Sequence, residues 1–286
     1  MSSRNIPGAG VALNVLEVNP GKTPTVLFLH GWLDHAHGFD ALRAALPSTW
    51  HTAALDFRGH GQSGHVEGGL YSFTDYLADV ELTLDALDVS RVHLVGHSLG
   101  GSVALTYAAA HPTRVASVTA IDSIGPMGGA PERIVDRLRS FIRDLHKPPR
   151  RRTWPTVAAA AARLRENLGG LGEEASMHLA VHGTRPVEGG VQFTFDPAHR
   201  RAFGLTMDEA QVLAVFRAIE APVRIILGSE GMRFDEARAE QRLAALRASP
   251  IVVRGGHHVH LDSPVEVARA LITFIEEVAR RGTAVP

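Results

Sequence analysis

Arg91-Val92-His93-Leu94-Val95-Gly96-His97-Ser98-Leu99-Gly100-Gly101 is the stretch on which the reading of this chain turns: a short apolar, β-branched run breaks into glycine, histidine and serine and then into small residues. The spacing Gly96-x-Ser98-x-Gly100 is that of a nucleophile elbow, a tight strand-to-helix turn that holds a serine hydroxyl exposed above a sheet. Such a turn leaves room for little more than hydrogen at its flanking positions, which accounts for both glycines. Five residues alone arise by chance in a glycine-rich chain. Here the context carries the reading, because a strand-like run precedes the motif and a helix-like run over 101–110 follows it.

Outward from the elbow, apolar runs of strand length recur at 25–29, 52–55, 92–95, 115–121, 223–227 and 251–253, and 13–18 adds an edge strand. They are apolar throughout rather than alternating, as strands buried on both faces are. Amphipathic helical patterns lie between most of them, at 73–87, 101–110, 235–246 and 264–280. Strand alternating with helix predicts an α/β fold, a parallel sheet covered on both faces. Pro264 suits the first turn of a helix and Ser263 suits its cap. The rhythm breaks between Ile124 and Ala221, where helical, Ala/Arg/Glu-rich sequence contains no good buried strand. We read 1–124 and 221–286 as one core and 125–220 as a helical cap, or lid, hinged at Gly125-Pro126, Lys147-Pro148-Pro149 and Gly189-Gly190. Ligands of open α/β sheets bind beyond the C-terminal strand ends, so the lid belongs there. The run Arg150-Arg151-Arg152 reads as a solvated face, with contact to an anion as the lesser alternative.

A chain of 286 residues buries about three-quarters of its unfolded surface, enough for one large core and an inserted subdomain. With no cysteine, disulfide and thiolate chemistry are excluded. Lys and Arg total 29 against 30 for Asp and Glu, so nothing in the charge calls for nucleic acid or an anionic membrane as partner. A small-molecule substrate fits better. No apolar stretch approaches the roughly 20 residues a membrane span needs, and residues 1–10 lack the apolar core of a signal peptide, so a cytoplasmic location is expected. The composition carries no signal of oligomeric state.

Acyl transfer through serine needs a base, a carboxylate to orient it, and donors for the developing oxyanion. The base is His257 in Gly255-Gly256-His257-His258-Val259-His260, the first histidine after a glycine turn, with His258 and His260 as competitors. No metal is expected in this cluster, which lacks a second His/Asp group at helical spacing. Two acids sit at C-terminal strand ends: Asp122 in Ile121-Asp122-Ser123, and Glu230 in Gly228-Ser229-Glu230-Gly231. The oxyanion donors are the N–H of Leu99, just after the serine, and the N–H of Trp32 in His30-Gly31-Trp32, where Gly31 allows close backbone approach. The glycine-rich loop 56–64 lacks a P-loop lysine and opens no helix, so it reads as structural.

Taken together, Gly96-x-Ser98-x-Gly100, His30-Gly31, Asp56-x-Arg58-Gly59-x-Gly61-x-Ser63 and Gly256-His257 resemble the α/β-hydrolase superfamily in its Ser, acid, His order. More narrowly the chain resembles the serine hydrolase-like (kraken-type) group, a likeness that reaches the lid through Trp154-Pro155, Arg163, Asn167 and Asp196-Pro197-x-x-Arg200. Many proteins of this architecture place their aspartate where Gly231 stands, whereas the similar group carries glycine there and aspartate at the position of Asp122, which favours Asp122. The resemblance implies about eight mostly parallel strands flanked by helices, an inserted helical cap, and a carboxylesterase-like hydrolase of small esters, thioesters or lactones that needs no cofactor. Carbon–carbon bond hydrolysis or perhydrolysis at the same site, or ligand binding without catalysis, are the alternatives. Substrate-binding residues are not assigned; Trp154, Met177, Phe193 and Phe195 read as lid core.

Overall fold

The computed structural model of the chain describes residues 1–148, 150–168, 171–201 and 204–282. Pro149, within one expected hinge, and the last four residues of the expected core segment lie outside them. Among the described residues ten strands run in chain order: β1 Ser2–Pro7, β2 Ala12–Val18, β3 Thr25–Leu29, β4 His51–Asp56, β5 Val92–His97, β6 Val115–Ile121, β7 Thr184–Val187, β8 Gly190–Phe193, β9 Val223–Gly228 and β10 Pro250–Val253. Eight form one sheet in the order β1-β2-β4-β3-β5-β6-β9-β10, and β7-β8 stand apart as a hairpin. Only β2 runs against its neighbours; from β4 to β10 every pairing is parallel. The sheet is the expected α/β-hydrolase one.

Successive side chains of a strand point to opposite faces, and β3 shows what this does. Leu27 and Leu29 join a core with Tyr76, Val103, Phe216 and Leu246, whereas Val26 and Phe28 join a second core with Phe39, Leu42 and Leu271. The helices are α1 Asp40–Ala44, α2 Phe73–Ala86, α3 Leu99–Ala110, then α4 Ile134–Leu145, α5 Val157–Leu168 and α6 Glu173–Gly183 in the insertion, α7 Glu209–Arg217, α8 Glu236–Leu246, α9 Val259–Asp262 and α10 Pro264–Gly282; α1, α2, α3, α7, α8 and α10 supply these partners, with Phe39 just ahead of α1. Both sheet faces are therefore dry, which is why the strands read as unbroken apolar runs.

Residues 13–18 were expected at the sheet edge, but β1 pairs outside β2. Only Ile6 of β1 is buried, so the strand leaves no apolar run to read. Gly189-Gly190, expected as a hinge, falls in the β7–β8 hairpin, Gly189 in its two-residue turn with Glu188, and Gly190 opening β8, and the partly exposed residues of both strands likewise lack a buried-strand signature. Ser263 does not cap α10 with its side chain; its hydroxyl donates to the carbonyl of Arg254 at 2.7 Å. Within 125–220, α7 packs against α3 and α8 and sends Val212 and Phe216 into the core.

Two parts of the insertion, α6 and the segment at residue 196, bond to loops at the C-terminal ends of β3 and β4. His35 Nε2–H donates to the carbonyl of Leu179 in α6 at 3.0 Å, and the N–H of Asp196 donates to the carbonyl of Gly59 at 2.7 Å. Inside it Ala160, Ala161 and Ala180 pack with Trp154 and Phe193. Phe195 is buried and stacks on Phe193, while Met177, expected in this lid core, is exposed.

Candidate active site

Ser98 joins β5 to α3 with φ 50° and ψ −111°, a conformation that costs a non-glycine residue about 1–3 kcal/mol and persists only where its surroundings enforce it. Enforcement comes from backbone contact. A Cβ on Gly100 would stand 1.9 Å from the carbonyl oxygen of Leu29, and one on Gly96 would stand 2.2 Å from that of Gly100. The elbow is thus pressed onto the end of β3, and the Ser98 N–H is bonded to the carbonyl of Ile121 at 3.0 Å, which ties it to the end of β6. Ser98 itself is only half-buried. Leu99 begins α3, where N–H groups have no acceptor within the helix.

One residue beyond Ile121, Asp122 also has positive φ, 45°, and its N–H bonds to the carbonyl of Ile226 in β9 at 2.7 Å. Its carboxylate is buried and fully engaged: Oδ1 accepts from the N–H of Gly228 at 3.0 Å, and Oδ2 from the N–H of Met232 at 2.8 Å and from His257 Nδ1 at 2.6 Å. With Nδ1–H committed to Asp122, Nε2 of a neutral His257 ring is an acceptor. The structure thus brings His257 and Asp122 together, with Ser98 at the adjoining strand end. Glu230 is not brought in: its side chain is exposed, and its backbone N–H bonds to the carbonyl of Gly255 at 2.9 Å. A Cβ on Gly231 would stand 2.2 Å from Asp122 Oδ1, so a side chain there and the Asp122 carboxylate exclude one another.

The competing histidines lie beneath. His258 and His260 are buried, and burial holds both below the ordinary imidazole range, His260 at about 3. His97, which the sequence reading did not single out, donates from Nε2 to the carbonyl of His257 at 2.9 Å and packs against the rings of His257, His258 and His260. It also touches the other side of the site, since a Cβ on Gly31 would stand 2.9 Å from His97 Nδ1. Trp32 follows, with its side chain half exposed. Beneath this turn Leu33 N–H donates to His60 Nε2 at 3.3 Å, and His30 donates from Nδ1 to the Gly31 carbonyl at 2.7 Å and accepts the Phe57 N–H on Nε2 at 3.0 Å.

Loop 56–64 is structural, as expected. Asp56 accepts from the N–H groups of Ala36 and Gln62 and from Asn14, and Arg58 is paired to buried Asp79 at 2.7 Å.

Among the described residues two groups of metal-ligating type have their ligand atoms within 4.8 Å of one another: buried Asp34, His97 and His260, and half-buried His37, Asp40 and His182. In the first, Asp34 Oδ2, His97 Nδ1 and both His260 nitrogens lack partners among the described residues. In the second, His37 donates to Asp40 at 2.7 Å and its ring stacks on His182 at 3.9 Å, joining α6 to α1. The spacing of His178 and His182 on α6 was a legible signal for it; the first depends on long-range folding.

A doubly covered sheet that presents a serine on a strained elbow beside a histidine–carboxylate pair defines a hydrolase. The family model described as alpha/beta hydrolase fold matches residues 24–264, and the chain belongs to that family, in its serine hydrolase-like group. It is similar to a serine hydrolase-like protein of Danio rerio, 30% identical over 271 residues that cover 90% of this chain and 83% of the relative. It is also similar to the 2-(acetamidomethylene)succinate hydrolase of Mesorhizobium japonicum, 30% identical over 279 residues, 96% of this chain and 95% of that one. Among solved structures, a hypothetical protein of Pseudomonas aeruginosa PAO1 matches with TM-score 0.90 and 31% identity, covering 96% of this chain and 100% of that one. The thioesterase domain from the curacin biosynthetic pathway matches with TM-score 0.86 and 26% identity, covering 95% and 99%. No helix among the described residues is long and apolar enough to cross a membrane.

Proposed function

We propose that the protein is a serine hydrolase that cleaves a small-molecule carboxylic ester, thioester or lactone through an acyl-enzyme, with Ser98, His257 and Asp122 as its triad. The observation that carries this reading is the 2.6 Å bond from His257 Nδ1 to Asp122, at the strand end that also anchors Ser98. His257 Nε2 takes the proton of Ser98 Oγ as Oγ bonds to the acyl carbon. The N–H groups of Leu99 and Trp32 hold the oxyanion of the tetrahedral intermediate, and each such donor is worth on the order of a hundredfold in rate. The protonated imidazole passes its proton to the departing alcohol or thiol, leaving the acyl group on Ser98. Water, deprotonated by the same Nε2, attacks the acyl carbon and releases the acid as Ser98 recovers its proton. No step requires a cofactor. The insertion over the strand ends acts as the cap that excludes water from the acyl-enzyme. Changing Ser98→Ala should lower kcat/KM on a nitrophenyl ester by about 10⁴-fold or more with the thermal midpoint kept. An unchanged hydrolysis rate contradicts the reading.

A further inference from the structure

Three stretches of the insertion that the proposed chemistry leaves unused converge on one cleft: residues 150–154, α5, and the segment running from β8 through residue 200. The cleft has a volume of about 190 Å³, and its walls carry Arg150, Arg151, Arg152, Arg163 and Arg200 around Trp154. Among the described residues no aspartate or glutamate lines it. The arginine run that reads in sequence as a solvated face is therefore one wall of a concave, strongly cationic surface.

Of the five guanidinium groups only Arg163 is ion-paired among the described residues. Arg152 lies over the ring of Trp154 at 3.9 Å and Arg200 over that of Phe195 at 5.1 Å. A guanidinium stacked on an aromatic face keeps its N–H edge free for an acceptor. Arg151 donates to the carbonyl of Phe195 and to His65, both uncharged when that ring is neutral. Arg163 meets a carboxylate, Glu166 at 3.0 Å, but both side chains are substantially exposed, so water and salt screen the pair. Burial and the neighbouring Arg163 hold Arg200 below the ordinary guanidinium range, and burial with Arg185 does the same to Arg151 against the opposing pull of the Asp196 carboxylate. Trp154, which forms part of the wall, has a buried indole Nε1–H with no acceptor among the described residues. Cations crowded at one concave spot beside an unanswered N–H donor are stabilised by an oxyanion, which accepts charge-assisted hydrogen bonds from several guanidiniums at once.

We propose that this cleft binds a small oxyanionic group, a carboxylate or a phosphate, carried either by the substrate or by a free anion. The volume suits such a group rather than a whole drug-sized ligand, whose sites run from about 300 to 1,000 Å³. The inference goes beyond the ester chemistry proposed above and does not depend on Ser98.

The test is isothermal titration of the full chain carrying Ser98→Ala with succinate and with inorganic phosphate at low ionic strength, where turnover plays no part. Saturable binding of either anion is expected, weakened about tenfold or more by Arg163→Gln with Arg200→Gln and weakened by added salt. Circular dichroism and the thermal midpoint establish that the double variant is folded, and Arg200→Lys, which keeps charge but loses the planar fork, should fall between. The two sources separate with the unmutated serine: if the anion belongs to the substrate, kcat/KM for a nitrophenyl succinate monoester relative to nitrophenyl butyrate drops in the double variant. If that ratio stays put while phosphate binding is lost, the site serves a free anion. No saturable binding of either anion, or binding equally tight in the folded double variant, overturns the proposal. A protein that binds anions here yet hydrolyses no ester overturns only the function proposed above.

Discussion

Asp122 and Glu230 both sit at C-terminal strand ends, and sequence alone leaves both open, because the contact that separates them spans 135 residues of chain. Folded, Asp122 is buried with three donors on its carboxylate while Glu230 faces solvent. Asp122→Asn should therefore lower kcat by about 10⁴-fold, since an amide in that place favours the wrong imidazole tautomer. Glu230→Gln should stay within about twofold of the parent, as a substitution on an exposed side chain outside the site does. Ester turnover by the two purified variants checks this, and a larger loss in Glu230→Gln would reverse the assignment. Ser98 and its two glycines were legible because the elbow leaves a five-residue signature, although the contact that demands Gly100 lies with the distant end of β3. His97 was not, because its role, holding the carbonyl of His257, exists only after distant strand ends meet.

The elements follow the same division between local and distant causes. Strands β3, β5, β6 and β9, buried on both faces, announce themselves as apolar runs, and α3 and α10 by what precedes them. β1 and the β7–β8 hairpin gain their pairing from neighbours rather than from apolar content, and so left little trace. The junction of β5 with α3 tolerates little change, because all three atoms that would collide with a Cβ on Gly100 belong to the backbone of Leu29 and His30. Gly100→Ala should cost about 3 kcal/mol or more, or prevent folding. A urea midpoint equal to that of the parent would show that the elbow has room that the contact denies.

Across the whole molecule the chain concentrates histidine in its interior. Burial lowers His30, His60, His97 and His258 from the ordinary imidazole range, and holds His93 and His199 at about 4 and His260 at about 3. Below about pH 6.5 the unfolded chain binds protons that these folded rings refuse, so stability is complete above that pH and is lost as the pH falls. His178 works in the opposite sense: its hydrogen bond to Asp40 raises it, so its contribution is present below about pH 6.5 and is lost as the pH rises through its folded value. The seven buried rings outweigh the one half-buried pair. The thermal midpoint should accordingly drop by roughly 10 °C or more between about pH 7.5 and about pH 5. A flat profile by scanning fluorimetry would mean that the interior histidines are already charged or hydrated.

The central claim, that folding turns Ser98 into a nucleophile, is tested most directly by treating the folded protein with a fluorophosphonate and locating the adduct by peptide mass. The account predicts a single stoichiometric adduct on Ser98 and none in Asp122→Asn over the same interval; absence of any adduct in folded protein, or an adduct on another residue with Ser98 free, would contradict it.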